Sequence, residues 1–455
     1  MLARPVVAAA LAAVVVAGAF ETPTGATTVR PPAFKFEDYT LPNGLRVILL
    51  EDHSTPIVHV TLWYHVGSKN EKPGRTGFAH LFEHMMFKGS RNVQPEAHTS
   101  YIASVGGQSN AYTTEDTTVF WQTVPAQYLP LTLWLEADRM ASLRVEEATF
   151  RTEREVVKEE RRQRVENQPY GRLSEIIYEQ AFTTHPYRYP VIGSMADLEA
   201  ASIEDVREFH RTYYRPDNAT LVIAGDFDPT TARGLIEREF SKVPKPTGTV
   251  PRTIPQEPVR TKEKRVTIEE DWPLPAVVVA YPITYDGHPD SYPLHIAAKV
   301  LSDGTSSRIY QRLVYKERLA LSAFGQANLI EHPNLFYAVA IVAPGQTPAQ
   351  VERALIEEME KLVKEPITDR ELQRSKNQFA RDYVLGRQTV QAKATTLAHA
   401  VVLHNGDVDT ADGEFDIFQK MTTADVQRVA RTYFTPQSRM VLTVMPRGQR
   451  PGGDQ

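Results

Sequence analysis

The chain repeats itself at a fixed distance. Asp205-Val206 and Arg211-Thr212-Tyr213-x-x-Pro216 recur as Asp425-Val426 and Arg431-Thr432-Tyr433-x-x-Pro436, offset by 220 residues throughout. The first copy reads as a helix over Glu204 to Tyr214 and then a strand over Asn218 to Gly225; a strand also follows the second copy. A duplication of this length confines the fold to two copies of a unit of about 200 residues, an ordinary domain size. The full 455 residues exceed what one hydrophobic core usually supports. Pro244, Pro246, Pro251, Pro255 and Pro258 predict an extended connector between the copies. The expected organisation is a first domain over 34–240, a linker over 241–260, a second domain over 261–447 and a disordered tail over 448–455.

Each copy mixes strands and helices. In the first, Pro42-Asn43-Gly44 is a turn signal between two strands within Phe34 to Glu51. Val58 to Val66 is a further strand; His59 and His65 on it are taken as structural. Ser109–Thr114 and Thr117–Val124 read as a hairpin. Helices are expected over Pro130–Leu143 and over Glu147–Ile177, broken near Pro169. In the second copy, strands are expected at Arg265–Glu270, Ala276–Tyr281 and Leu335–Val342. Helices are expected at Tyr292–Leu301, Pro348–Lys364 and Thr368–Arg387.

Only the first copy carries an evident chemical motif. Gly77 to Phe87 reads as a short helix, with Thr76 as N-cap and Gly89 as C-cap. At about 100° per residue, His80, Glu83 and His84 share one arc, while Phe78, Leu81, Phe82 and Met85 form the opposite face. Two histidines at i and i+4 can reach one ion, and Zn²⁺ takes imidazole nitrogen readily. Glu83 stands beside that ion, where a base takes a proton from an attacking water. This His-x-x-Glu-His order inverts the commoner His-Glu-x-x-His. The offset counterpart of His80 is Val300, and no second His-x-x-Glu-His exists. A catalytic zinc usually has a third protein ligand. Glu153, Glu155, Glu159 and Glu160 are the candidates; Glu153 and Glu160 share a helix face, Glu155 and Glu159 another, and spacing alone does not choose.

Other features bound the function. A net charge of −5, with basic runs interleaved by Glu, gives no reason to expect nucleic acid as a partner. Arg4, the apolar run from Val6 to Phe20 and Ala17-Gly18-Ala19 form the pattern of a cleavable signal peptide over 1–19. Periplasmic or secreted localisation follows, with no transmembrane segment after cleavage. Residues 20–33 read as a flexible lead-in. No cysteine is present, so there is no disulfide framework.

His80-x-x-Glu83-His84, with Glu160 located 76 residues after His84, resembles the pitrilysin/insulinase family of zinc peptidases. The likeness extends through Leu41-Pro42-Asn43-Gly44-Leu45, Ser109-Asn110-Ala111-Tyr112-Thr113, His185-Pro186-Tyr187, Ile192-Gly193 and Tyr214-Arg215-Pro216-Asp217-Asn218. It implies an α/β (α+β) fold of two homologous domains, each a mainly antiparallel sheet covered by helices. It implies one Zn²⁺ per chain on His80, His84 and Glu160, with Glu83 as base and Glu153 supporting the site. It also implies that a peptide substrate adds as a strand along Asn110, Ala111 and Tyr112. The chain's length is similar to that of the short members, which work as pairs of chains.

One departure stands out. Where the family carries an Arg and a Tyr in its non-metal half, this chain has Val314 and Leu321; Arg308 and Tyr315 keep the spacing but not the register. The expectation is a heterodimer, with a homologous subunit supplying the Arg/Tyr pair. The alternative is a non-catalytic subunit that captures peptides on zinc or serves a structural role.

Overall fold

The structure is a computed structural model that describes residues 30–448. The expected signal peptide, residues 20–29 of the lead-in and residues 449–455 lie outside the described residues.

The first half contains β1 (Glu37–Thr40), β2 (Arg46–Glu51), β3 (Ile57–Tyr64), α1 (Phe78–Met85), α2 (Ala97–Ser104), β4 (Gln108–Thr113) and β5 (Thr118–Pro125). It continues with α3 (Leu129–Ser142), α4 (Glu147–Arg161), α5 (Leu173–Ala181), α6 (Met195–Ala200), α7 (Ile203–Tyr213), β6 (Ala219–Gly225) and α8 (Pro229–Phe240). The second half contains β7 (Lys264–Glu270), β8 (Ala276–Ile283), α9 (Ser291–Ser302), β9 (Ala320–Ala327), β10 (Asn334–Val342) and α10 (Pro348–Lys364). It closes with α11 (Asp369–Leu385), α12 (Val390–Leu403), α13 (Thr410–Lys420), α14 (Thr423–Tyr433) and β11 (Met440–Pro446).

Two sheets result, ordered β1-β2-β6-β3-β5-β4 and β7-β11-β8-β10-β9. Apart from β1, they superpose strand for strand in order. Each has one parallel pair, β2 with β6 and β7 with β11, and is otherwise antiparallel. The duplication is visible in detail. Ser202 and Asp205 form a capping box at α7; Thr422 and Asp425 form the same box at α14, 220 residues on. Both helices deliver the chain into a fully or nearly fully buried strand, and a run such as Ala-Thr-Leu-Val-Ile-Ala-Gly in β6 suits a strand covered on both faces.

The covering is reciprocal. One face of the first sheet packs on α1, α3, α7 and α8. Its other face packs on α12, a helix of the second half: Ala394, Leu397, Ala398 and Val401 meet Ile48, Leu50, Trp63, Val222 and Ala224. The second sheet packs on α9, α10 and α14 on one face. On its other face lies α5, a helix of the first half, whose Leu173, Ile176, Ile177 and Ala181 meet Val278, Ala280, Val339 and Leu442. Helices α5 and α12 are counterparts in the repeat, so each half lends the other the same helix. Alanines spread around α12 blur its polar and apolar faces, which is why a simple amphipathic pattern does not disclose it.

A polar network also joins the halves. Lys69 Nζ lies 2.9 Å from Asp116 Oδ1 and is paired as well with Glu331, on the turn between β9 and β10. His65 Nε2 lies 2.6 Å from Glu331 Oε2, so its partner is 266 residues away and not local to its strand. Tyr187 donates its hydroxyl to Asp116 at 2.6 Å. His59, by contrast, pairs within its sheet, with Thr123 at 2.8 Å.

Candidate metal centre

Helix α1 starts one residue later than the sequence indicates, and Thr76 is not its cap. Gly77 occupies the cap position in the left-handed region, at φ +88°. A Cβ there would come within 2.7 Å of the Ile192 carbonyl, so close approach as well as φ requires glycine. The orphan amides are taken by Glu71, whose carboxylate accepts from Gly77 N–H and Ala79 N–H, each at 2.8 Å. Burial pushes the Glu71 carboxyl up to about 8, although the amides it accepts from pull it down. Thr76 instead donates to Asp197 at 2.5 Å. The helix ends at Met85, short of Gly89, which lies beyond it at φ +94°.

Phe78, Leu81, Phe82 and Met85 are buried in the first core; His80, Glu83 and His84 line the opposite face. Helix α4 packs across α1 and presents Glu160 and Glu153. Glu160 Oε2 lies 3.3 Å from His84 Nε2 and 3.8 Å from His80 Nε2. The ligand atoms of His80, His84 and Glu160 all fall within 4.8 Å of one another. Glu160 Oε1 is held at 2.5 Å by Arg164, one turn further along. On the other side of the His84 ring, Nδ1 lies 3.5 Å from Glu153 Oε2, and Lys88 Nζ lies 2.9 Å from Glu153 Oε1. His80 has no such outer partner: its Nδ1 is buried and makes no hydrogen bond to the described residues.

These residues fit a zinc ion. Bonds of about 2.0–2.1 Å at tetrahedral angles separate ligand atoms by roughly 3.3–3.5 Å. The 3.3 and 3.8 Å separations bracket that range, and the longer is beyond hydrogen-bond distance. Two imidazoles and a carboxylate suit a borderline ion, and a carboxylate behind a ligating imidazole is the usual supporting arrangement.

The electrostatics follow from packing. Burial, reinforced by the His84 charge, pushes His80 down to about 4. His84 is buried too, but Glu153 and Glu160 outweigh that cost and raise it to about 9. Glu160 is held low chiefly by its hydrogen bond to His84. Burial raises Glu83, although Thr113 on β4 donates its hydroxyl to Glu83 Oε2 at 2.6 Å. Thr113, Glu71, Lys88 and Arg164 are the neighbours that motif reasoning missed. Their signal was thin: Thr113 ends the Ser109–Thr113 segment, and Lys88 follows the helix.

Strand β4 is one edge of the first sheet, beside α1, and pairs only with β5 among the described residues. Ala111 N–H donates to the Asn110 side chain at 2.9 Å. Asn110, Ala111 and Tyr112 therefore stand together on an open edge near the donor set, with Tyr112 packed edge-on against Trp63. In the second half, Val314 lies partly buried in a π turn, Tyr310–Lys316, and Leu321 is exposed on the edge strand β9. Arg308 is occupied by Glu371, at 2.7 and 2.8 Å.

A duplicated α/β chain with an inverted His-x-x-Glu-His helix on one sheet defines a pitrilysin-type protein. Residues 46–194 match the model of the insulinase family, peptidase family M16, and residues 200–379 match the peptidase M16 inactive domain. The chain belongs to that family. It is 29% identical to the zinc protease PqqE of Helicobacter pylori over 90% of this chain and 93% of that one. It is 24% identical to a probable mitochondrial-processing peptidase subunit beta of Arabidopsis thaliana, over 90% and 78% of the two chains. Its fold matches the crystal structure of a protease from Helicobacter pylori with a TM-score of 0.87 and 30% identity, covering 91% of this chain and all of that one. The two helix-covered sheets are the architecture of that family.

Proposed function

We propose that this chain is the zinc-bearing subunit of a metalloendopeptidase that hydrolyses peptides or unfolded segments. The observation that carries the reading is the convergence of His80, His84 and Glu160, with Glu83 beside them, next to the open edge of β4. His80, His84 and Glu160 would hold one Zn²⁺, which when bound supplies a Lewis acid for the scissile amide and its attacking water. Glu83 takes the proton of that water and returns it to the leaving amine. Its raised affinity for protons suits a group that must both accept and donate. The Thr113 hydroxyl fixes the Glu83 rotamer. Glu153 acts through His84, as a positioning residue. Asn110, Ala111 and Tyr112 would pair with the substrate backbone.

The division into domains at 34–240 and 261–447, around a linker at 241–260, belongs to the same reading. So does a partner subunit. With Val314 and Leu321 at the Arg/Tyr positions and Arg308 engaged by Glu371, the described residues of the second half offer no such donor pair in that register. A homologous chain carrying the pair completes the site in a heterodimer. Export to the periplasm rests on the signal-peptide pattern over residues 1–19. Among the described residues no helix is long and apolar enough to cross a membrane.

The test is turnover of a quenched peptide library, with zinc, by the chain alone and mixed with such a homologue. Activity only in the mixture, lost in Glu83→Gln with zinc retained, is the expected result. Activity of the chain alone overturns the two-chain requirement. Silence in both, with zinc bound, favours peptide capture without cleavage.

A further inference from the structure

A second donor set lies in the other half. Asp286 sits on the loop between β8 and α9, His399 is in the last turn of α12, and His404 caps that helix. Their ligand atoms also lie within 4.8 Å of one another. His404 Nε2 is 3.1 Å and His399 Nε2 3.8 Å from the same oxygen, Asp286 Oδ2. The first site has nearly the same pair of carboxylate-to-imidazole separations, 3.3 and 3.8 Å.

Hydrogen bonding aims the His404 lone pair. Thr410 donates its one hydroxyl proton to the Asp407 carbonyl at 2.7 Å. It can therefore only accept from His404 Nδ1, 2.8 Å away. Nδ1 then carries a proton, and Nε2 faces the Asp286 carboxylate oxygen, where it can bind a proton or a metal ion. Two acceptors at 3.1 Å need a cation between them, either a proton or a metal ion. An Nδ1–H donated outward with Nε2 turned inward is the usual posture of a ligating histidine.

The surroundings leave room for an ion and its waters. The three residues line a cavity of about 450 Å³, with Glu414, His295 and Lys299 on its wall. Lys299 is already paired with Asp303 and Asp382, at 3.3 and 3.0 Å. The His399 side chain is 44% exposed, which gives an ion a way in.

We propose that Asp286, His399 and His404 form a second site for a first-row divalent ion, with Zn²⁺ the best fit to two imidazoles and a carboxylate. Its role is structural. Helix α12 covers the first sheet, whereas Asp286 lies on the loop that follows β8 of the second, so the ion ties the lent helix back to its own half.

The experiment counts zinc on the metal-stripped full chain after titration with Zn²⁺ and gel filtration, and follows thermal unfolding with and without the ion. The wild type is expected to hold two equivalents, His404→Gln one, His80→Ala/His84→Ala one, and the triple variant none. In the His80→Ala/His84→Ala background, zinc at a hundredfold excess over Kd should raise the midpoint by roughly 3–5 °C. Adding His399→Ala, at a half-exposed position that keeps the core intact, should abolish that rise. No zinc on the His80→Ala/His84→Ala variant, or two equivalents on His404→Gln, overturns the proposal. The pair would then be an imidazolium–carboxylate contact.

Discussion

His84 Nδ1 lies 3.5 Å from Glu153 Oε2, on the side of the ring away from the nitrogen that faces Glu160. The ring is thereby oriented from behind, and Glu153 is itself held by Lys88. Among the described residues His80 Nδ1 has no hydrogen-bond partner to match this support. Loss of the Glu153 charge should therefore loosen the donor set at one of its two imidazoles.

Glu153→Gln is expected to weaken zinc affinity roughly 10- to 100-fold, the usual effect of removing an outer carboxylate. Activity at saturating zinc should change far less. Chelator competition measures the first and kcat at saturating zinc the second. Unchanged affinity with a hundredfold fall in kcat would mean that Glu153 meets the substrate directly.

Glu71 predicts a different kind of failure. It satisfies two buried amides at the start of α1 from outside the helix. Glu71→Ala leaves both without a partner, at a cost of roughly 2–4 kcal/mol. Denaturant unfolding should show that loss. Because the same amides begin the helix that carries His80 and His84, zinc binding should weaken in the folded fraction as well. Unchanged stability would mean that water reaches these amides freely.

How far the sequence disclosed this molecule depends on where the information sits. The helix of His80, Glu83 and His84 was legible because its two faces differ every 3.6 residues. The duplication was legible because Asp205-Val206 and Arg211-Thr212-Tyr213-x-x-Pro216 recur at one offset; the structure shows that Asp205 and Asp425 keep the same capping role. Glu71 was not legible: it acts across a loop on amides that carry no sequence mark. Neither was the exchange of α5 and α12. Their apolar residues show that they are buried, but not against which sheet. Strand β9 escaped because its alternation is weak and its Leu321 and Phe324 face outward.

The Lys69–Asp116–Glu331–His65 network sets an acid limit. Burial alone would raise the Glu331 carboxyl, but His65 and Lys69 overcome it and hold the group at about 2. A depressed carboxylate contributes stability that is present above its unfolded pKa of about 4.3 and is lost as pH falls through the folded value. The window therefore runs from about pH 4.5 down to 2, and the contribution is of the order of 3 kcal/mol. Wild type and Glu331→Gln should differ by that much at pH 7, and the gap should close as pH falls to 2. Urea midpoints across this range measure it; a gap independent of pH would sink the account. Lys69→Met should cost about 3–5 kcal/mol at pH 7, since it leaves Asp116 buried and unpaired by charge. The two losses should not add, because both variants break one network.

The last prediction concerns the edge of β4. Ala111 donates its amide to the Asn110 side chain, which places that N–H on the open side of the strand. It is thus free to turn to an incoming backbone when Asn110 swings away. Proline at an outward edge position removes that donor without breaking the ladder to β5. Ala111→Pro should therefore leave stability and zinc content near the wild type. One backbone hydrogen bond is worth about 1–1.5 kcal/mol, so KM should rise roughly tenfold. With His80, His84, Glu160 and Glu83 untouched, kcat should hold within a few-fold. A fall in kcat with KM unchanged would place the substrate elsewhere than on this edge. Asn110→Ala separates the two roles of the side chain. If it merely guards the amide, KM should fall slightly; if it also grips the substrate, KM should rise as it does for the proline.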